Sequence, residues 1–387
     1  MVLGKYQREH ELLLCCARTE ASPPVAARIR ELAGSRELDW DYLFQLARRH
    51  AVIPLLYSQL AREGADLVPP AFLSKLKLHY QENSARNTIL TAELSRLVEL
   101  LSAAGIDTIP YKGPVLALFA YGDIASRRFV DLDVIVKKSD VPRARDLLIA
   151  DGYAPTKSLT PAQQQVLLRT QHNLQFARDN RRLLLELHWE VAPHLFASSL
   201  QENELWRNLT TINLNGTPMK TLSAGDLLFS LCVHGSRHLW ERLGWICDVA
   251  ELIRRHELKW STLLQRAAET DNERMFLLGL HLAKKLLQVT LPIEVQQRCD
   301  ADARLESLAT SIIDHLFDGP THTPSTSTEI FKYNIGVRKS LTARARYFLY
   351  MLRPTDSDVS RCVLPARLSF GYYVLRPFRL LFKTKMT

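Results

Sequence analysis

The chemistry of this chain starts at Asp131-Leu132-Asp133-Val134-Ile135-Val136, where two carboxylates one residue apart sit inside an apolar run. Side chains alternate along a β-strand, so Asp131 and Asp133 are expected on one face. Two neighbouring acids in a hydrophobic strand repel each other and are costly to bury unless a cation neutralises them. A hard divalent ion such as Mg²⁺ takes oxygen ligands and bridges to a nucleotide's phosphates. The pair therefore reads either as a metal site or as two edge-strand acids facing water. Eighteen residues before Asp131 lies Gly113, in Tyr111-Lys112-Gly113. A glycine at a strand-to-helix turn lets backbone approach closely, and the helix N-terminus beyond it favours anions. Lys112 is there either a phosphate ligand or a surface lysine.

Metal-dependent nucleotidyl transfer can use two ions about 4 Å apart, held by three carboxylates on neighbouring strands. Glu186, in Leu185-Glu186-Leu187-His188-Trp189, is the candidate third acid. On that reading its carboxylate lies about 4–6 Å from the other two, within reach of a shared ion. The alternative makes Glu186 and His188 the polar face of an amphipathic strand. Arg127 and Arg128 precede the acid strand and either bind phosphate or pair with Asp131. His234 and His238 are four apart on a predicted helix and share a face. With no third ligand in sight, packing or substrate lining is expected of them rather than zinc. Trp240, Arg242, Trp245 and Asp248 fit an aromatic and charged ring around a cleft, with Trp245 either stacked on a base or packed in the core.

The elements that must position these residues follow from periodicity. Residues 6 to about 100 read as helices, punctuated by Pro23-Pro24 and Pro69-Pro70. Strands are expected at Ile106 to Tyr111 and Phe129 to Val136, with helices at Pro114 to Tyr121 and Val141 to Ala150. One hairpin turns at Asp179-Asn180 between Asn173–Arg178 and Arg182–Val191, and another at Asn215-Gly216. Helices resume at Ser223 and continue over roughly 244–256, 259–269, 272–288 and 303–317. The segment 319–328 reads as a polar linker. The fold expected is α+β: a small mixed-sheet core over 101–222, an N-terminal helical region over 1–100, a helical lobe over 223–320 and a tail over 321–387.

The chain of 387 residues is 47% hydrophobic and 24% charged, ordinary values for a soluble globular protein. No run reaches the eighteen or more uncharged apolar residues of a spanning helix, and the N-terminus lacks the pattern of a secretory signal. Six scattered cysteines with no CxxC pair suit a reducing, cytoplasmic location. The formal charge of +9 is uneven. Residues 329–387 carry twelve Lys or Arg against three acids, which accounts for all of it. In this tail basic residues interleave with Tyr347, Phe348, Tyr350, Phe370, Tyr372, Tyr373, Phe378 and Phe382. That composition suits an anionic membrane surface at the inner face, RNA, or an amphipathic helix pair docked on the body. The tail is expected to serve location or acceptor choice, not chemistry.

Taken together, Lys112-Gly113, Arg127-x-x-x-Asp131-x-Asp133, Glu186-Leu187-His188-Trp189 and the run from His234 to Asp248 resemble the uncharacterised nucleotidyltransferase family of the polymerase-beta-like superfamily. The resemblance covers about 40 to 380. Three features depart from it: Glu186 where aspartate is common, Arg237 where lysine is usual, and Pro114, which removes a backbone donor from the turn. The resemblance implies transfer of a nucleoside monophosphate from a nucleoside triphosphate to an acceptor hydroxyl or phosphate, with Mg²⁺ or Mn²⁺. Asp131, Asp133 and Glu186 would be catalytic and metal-binding. Lys112, Gly113, Arg127, His188, His238, Arg242 and Trp245 would contact the nucleotide. By family analogy the acceptor is a sugar, peptide or glycan. Two rivals stand beside this reading: a kinase-like phosphotransferase on the same fold, and an inactive adaptor at a membrane surface or on RNA.

Overall fold

In a computed structural model of the chain, the described residues are 7–192, 202–319, 326–361, 364, 368 and 370–383. A five-stranded sheet has the order β1-β2-β5-β4-β3, made of β1 (Ile109–Pro110), β2 (Leu132–Ile135), β3 (Ala154–Pro155), β4 (Asn173–Arg178) and β5 (Leu183–His188). Only the β2–β5 pair is parallel; the others are antiparallel, so the sheet is mixed. The architecture is α+β, as the periodicity implied. The second hairpin, β6 (Leu209–Leu214) and β7 (Thr217–Leu222), forms its own two-stranded sheet. It turns at Asn215 and Gly216, both at positive φ. The Thr221 hydroxyl ties it to the carbonyl of Pro110 at 2.7 Å.

Alternation sorts the two faces of the sheet. Leu132, Val134, Leu185 and Leu187 pack against Leu90, Leu94, Leu97 and Leu101 of the 34-residue helix Pro70–Ala103. Those four leucines recur at helical spacing and present one stripe. Asp133, Ile135, Glu186 and His188 occupy the opposite face. There Ile109, Tyr111 and Ile135 join a large core shared by the N-terminal helices and the helices that follow β7. The two helical regions are therefore joined: the Gly244 N–H donates to the His50 carbonyl at 3.0 Å, and Leu243 N–H to His50 Nδ1 at 3.2 Å.

β4 has the bounds expected of it, whereas β1, β2 and β5 are shorter than expected. Predicted over 129–136, β2 holds only Leu132–Ile135, and Asp131 lies in the bend just before it. The ladder begins at Leu132↔Leu185, so Asp131 falls one residue outside it. The helices after β7 lie where predicted: Ala224–Arg237, Leu243–Arg255, Trp260–Glu269, Glu273–Leu287 and Leu305–Leu316. Glu202–Arg207 and two longer helices were not foreseen. One is Pro161–Thr170, opened by a Thr160/Gln163 capping box, and the other is Ile293–Asp300.

The C-terminal segment packs on the body. Val337 and Tyr347 enter the main core, and Arg338 lies 4.2 Å from the centre of the Tyr347 ring. Val359 and Tyr372 pack with Val166 and Leu167, and Gln163 Nε2 donates to the Val359 carbonyl at 2.6 Å. Residues 320–325 of the expected linker lie outside the described residues, as do Cys362, Arg367 and Lys385. Cys15, Cys16, Cys232, Cys247 and Cys299 are free thiols. Among the described residues no helix is long and apolar enough to cross a membrane.

Candidate active site

The parallel ladder sets Asp133 directly beside Glu186. Asp133 Oδ1 accepts from Lys112 Nζ at 3.2 Å and lies 3.1 Å from His188 Nε2. The same Nε2 is 3.2 Å from Glu186 Oε2. One ligand atom each from Asp133, Glu186 and His188 lies within 4.8 Å of the other two, the one such metal-capable group among the described residues. Asp131 lines the same cleft from the bend before β2. Gly113 is fitted to that bend. Its φ is +53°, and a Cβ there would come within 3.1 Å of the Asp131 carbonyl, so the Lys-Gly turn can press against the acid strand only as glycine.

Charge is unevenly shared among the three acids. Burial alone would raise the Asp133 carboxyl, but Lys112 and His188 override it and hold the group far below the usual carboxylate range. Glu186 is likewise pushed up by burial and brought below its ordinary value by the hydrogen bond and charge of His188. Asp131 has neither partner. Burial and the charges of Asp133 and Glu186 push its pKa up to about 6. Burial opposes the charged form of His188, and its bonds to Asp133 and Glu186 more than compensate, so the imidazole titrates higher than usual.

Facing the acids across a cleft of about 520 Å³ is a wall of His234, Arg237, His238, Arg242 and Trp245. The His234 and His238 rings are 4.7 Å apart, and Trp245 lies 5.3 and 5.6 Å from them. Burial and nearby cations keep both imidazoles neutral; that of His238 falls to about 4. Neither histidine belongs to a metal-capable group among the described residues.

Two residues expected around the cleft sit elsewhere. Trp240 is fully buried, wedged where a Cβ on Gly235 or Gly279 would strike its ring. The core took it because two glycines leave a slot of indole size. Asp248 is also buried, bound by Arg127 Nε (2.7 Å), Arg127 Nη2 (2.9 Å) and the Tyr121 hydroxyl (2.7 Å). Arg127 thus lines the cleft with its guanidinium engaged. Gly113, Lys112, His188, His238, Arg242 and Trp245 all line it too. Sequence reasoning passed over Asn173 and Gln175, whose amides donate to the two Glu186 oxygens at 2.9 and 2.8 Å. The signal was available: two polar residues at strand spacing, cross-paired with Glu186-x-His188.

The model of a family described as uncharacterised nucleotidyltransferase matches residues 36–288. The chain belongs to that family. Membership supports nucleotidyl transfer as the general activity and implies a nucleotide substrate. Among solved structures, the nucleotidyltransferase is similar to an antigenic nucleotidyltransferase-like protein from Paracoccidioides brasiliensis, at 14% identity and a TM-score of 0.32. That match covers 54% of this chain and 94% of the other. No curated protein matches.

Proposed function

We propose that this nucleotidyltransferase moves a nucleoside monophosphate from a nucleoside triphosphate onto an acceptor hydroxyl or phosphate, with Asp131, Asp133 and Glu186 holding Mg²⁺ or Mn²⁺. The observation that carries the reading is the cross-strand pair Asp133–Glu186, with Asp131 beside it and the Lys112-Gly113 turn against it. The donor set fits a hard divalent ion: carboxylate oxygens, with the Asp131 carboxyl pushed up to about 6 by burial and by the charges of Asp133 and Glu186. Such an ion, when bound, would neutralise the triphosphate and the departing pyrophosphate.

The chain's own residues divide the remaining roles. Lys112 Nζ, at 3.2 Å from Asp133, is placed to contact a phosphate held over the acids. Glu186 is a poor general base, since its pKa is lowered and both oxygens are bound by amides. It serves better as a fixed ligand. His188 orients Asp133 and Glu186 from below. Arg127, clamped by Asp248, positions the loop that leads to Asp131. The Trp245 indole, with the neutral His238 ring tilted 50° to it, offers an aromatic face for a base. The 101–222 core carries the chemistry and the 223–320 lobe closes the cleft.

For the acceptor we keep a sugar, peptide or glycan, and for the setting the cytoplasm, with the basic tail facing an anionic membrane surface or RNA. The tail's exposed Phe348, Leu349, Phe370, Tyr373 and Val374, set among its excess of basic residues, support that partner class. The test is calorimetric binding of ATP, CTP, GTP and UTP, each with and without Mg²⁺, followed by product analysis. Release of pyrophosphate supports the proposal. Release of a nucleoside diphosphate makes the enzyme a phosphotransferase, and failure to bind any nucleotide ends both.

A further inference from the structure

Beside the acid centre the molecule gathers positive charge that no acid answers. Arg128 ends the loop before the acids, Arg242 precedes helix Leu243–Arg255, Arg48 lies in the last turn of helix Trp40–Arg49, and Arg86 sits on helix Pro70–Ala103. All four are exposed, and none forms an ion pair among the described residues. Arg86 reaches only the Val130 carbonyl at 3.4 Å, and Arg242 lies 5.7 Å from the Trp245 ring centre. Their chain neighbours behave differently. Arg49 pairs with Asp318 at 3.0 Å and Arg127 with Asp248.

Two of the four, Arg128 and Arg242, line a recess. A pocket of about 50 Å³ opens next to the main cleft, sharing Arg127, Arg128, Arg242 and Trp245 with it. Its one carboxylate, Asp248, is consumed by Arg127 and Tyr121. The volume suits a single small group and excludes a base or sugar ring. Arg128 also feels the like charges of Arg86, Arg242 and Arg48, which add to burial in weakening its hold on its proton. Two guanidinium groups without ion pairs at one recess are matched by an oxyanion, which they can bind by paired N–H donors.

We propose that Arg128 and Arg242, at the recess beside the acid centre, form an oxyanion subsite that holds a phosphate-type group of a substrate, with Arg48 and Arg86 adding positive charge around it. The group comes either from the nucleotide's outer phosphates or from an acceptor that is itself anionic; only this assignment rests on the nucleotidyltransferase reading.

The test is titration calorimetry of the full chain with inorganic phosphate, chloride balancing the ionic strength. Wild type should bind phosphate saturably, and R128Q/R242Q should bind it about tenfold more weakly or worse, the loss expected for a charge-assisted contact. D133N should bind it like wild type. Unsaturable binding, or equal binding by wild type and R128Q/R242Q, overturns the subsite. So does a loss confined to K112Q, which would move the phosphate to the Lys-Gly turn. A second titration at saturating Mg²⁺ and nucleotide separates the sources: retained phosphate binding assigns the subsite to the acceptor, and displacement assigns it to the nucleotide. Should no nucleotide bind, the proposed function fails while the phosphate result still stands or falls by itself.

Discussion

Two buried aspartates on either side of the cleft, Asp133 and Asp248, have partners of the same kind and opposite fates. Each faces one cation and one ring: Lys112 and His188 for Asp133, Arg127 and Tyr121 for Asp248. Asp248 is gripped through both oxygens by a bidentate arginine, a geometry with its hydrogen bonds satisfied and no task left over. Both contacts of Asp133 fall on Oδ1, from groups that also answer to Glu186, and the carboxylate opens on the cleft. A fully bound acid acts as a strut. An acid whose partners are shared, beside another acid left uncompensated, is poised to take a different cation.

The largest effect should come from breaking the strut. Asp248→Asn leaves Arg127 buried without its counter-charge and should cost about 3–5 kcal/mol of folding free energy. The readout is the denaturant midpoint with an unchanged slope. An unmoved midpoint would mean that the pair is worth no more than a surface bridge and that the contrast is empty. Asp133→Asn should behave in the opposite way, costing less than about 2 kcal/mol. It should lower Mg²⁺-dependent nucleotide binding and turnover about a hundredfold or more, since several kcal/mol of charge stabilisation pass through that oxygen.

Next in size is the tail. The charge count leads to the expectation that the tail beyond about residue 334 serves location or acceptor choice and can be cut without loss of nucleotide binding. Instead Arg338 and Tyr347 are buried, so a cut there should expose apolar surface and yield insoluble protein. A later cut, removing 362–387, takes away Tyr372 from its place against Val166, Leu167 and Val359. It should cost about 1.5–3 kcal/mol, the worth of one large buried side chain, and spare nucleotide binding. Flotation with anionic vesicles should drop, and for the full chain should weaken with salt because screening reaches surface charge and not apolar packing. Vesicle binding that survives both the cut and high salt would remove the tail from the partner question.

How much of this was readable from residues alone depends on range. That Asp133, Glu186 and His188 share one face was legible because strand alternation is local. The glycine turn was legible for the same reason. Asn173 and Gln175 were missed because their meaning lies in cross-strand register, and Trp240 misled because its slot is made by Gly235 and a glycine 44 residues further on, Gly279. Arg127 and Arg128 are adjacent and chemically identical; only the fold shows that one is bound by Asp248 and the other lines the recess with no ion pair among the described residues. The helix Pro161–Thr170 gave a capping box but a weak apolar stripe, and it forms where the tail covers it.

The smallest predicted effect tests the comparison most directly, because it concerns the acid with no partner. Asp131 in the folded protein titrates at about 6, above its ordinary 3.8. Between those values the folded state holds a proton that the unfolded state has released, so stability from this group falls as pH rises through that window and stays lower above it. Two pH units correspond to about 3 kcal/mol at most, and screening at a half-buried carboxylate reduces this to about 1 kcal/mol. Asp131→Asn removes the charge and keeps the shape. Thermal unfolding without divalent ions should therefore show the variant matching wild type near pH 4 and exceeding it above pH 6. Adding Mg²⁺ should reverse the order, since an ion that binds only the folded wild type raises its stability by mass action. A variant less stable than wild type at pH 7 without metal would give Asp131 a structural cation of its own, with Arg128 the first to examine, and would make the acid cluster a second strut.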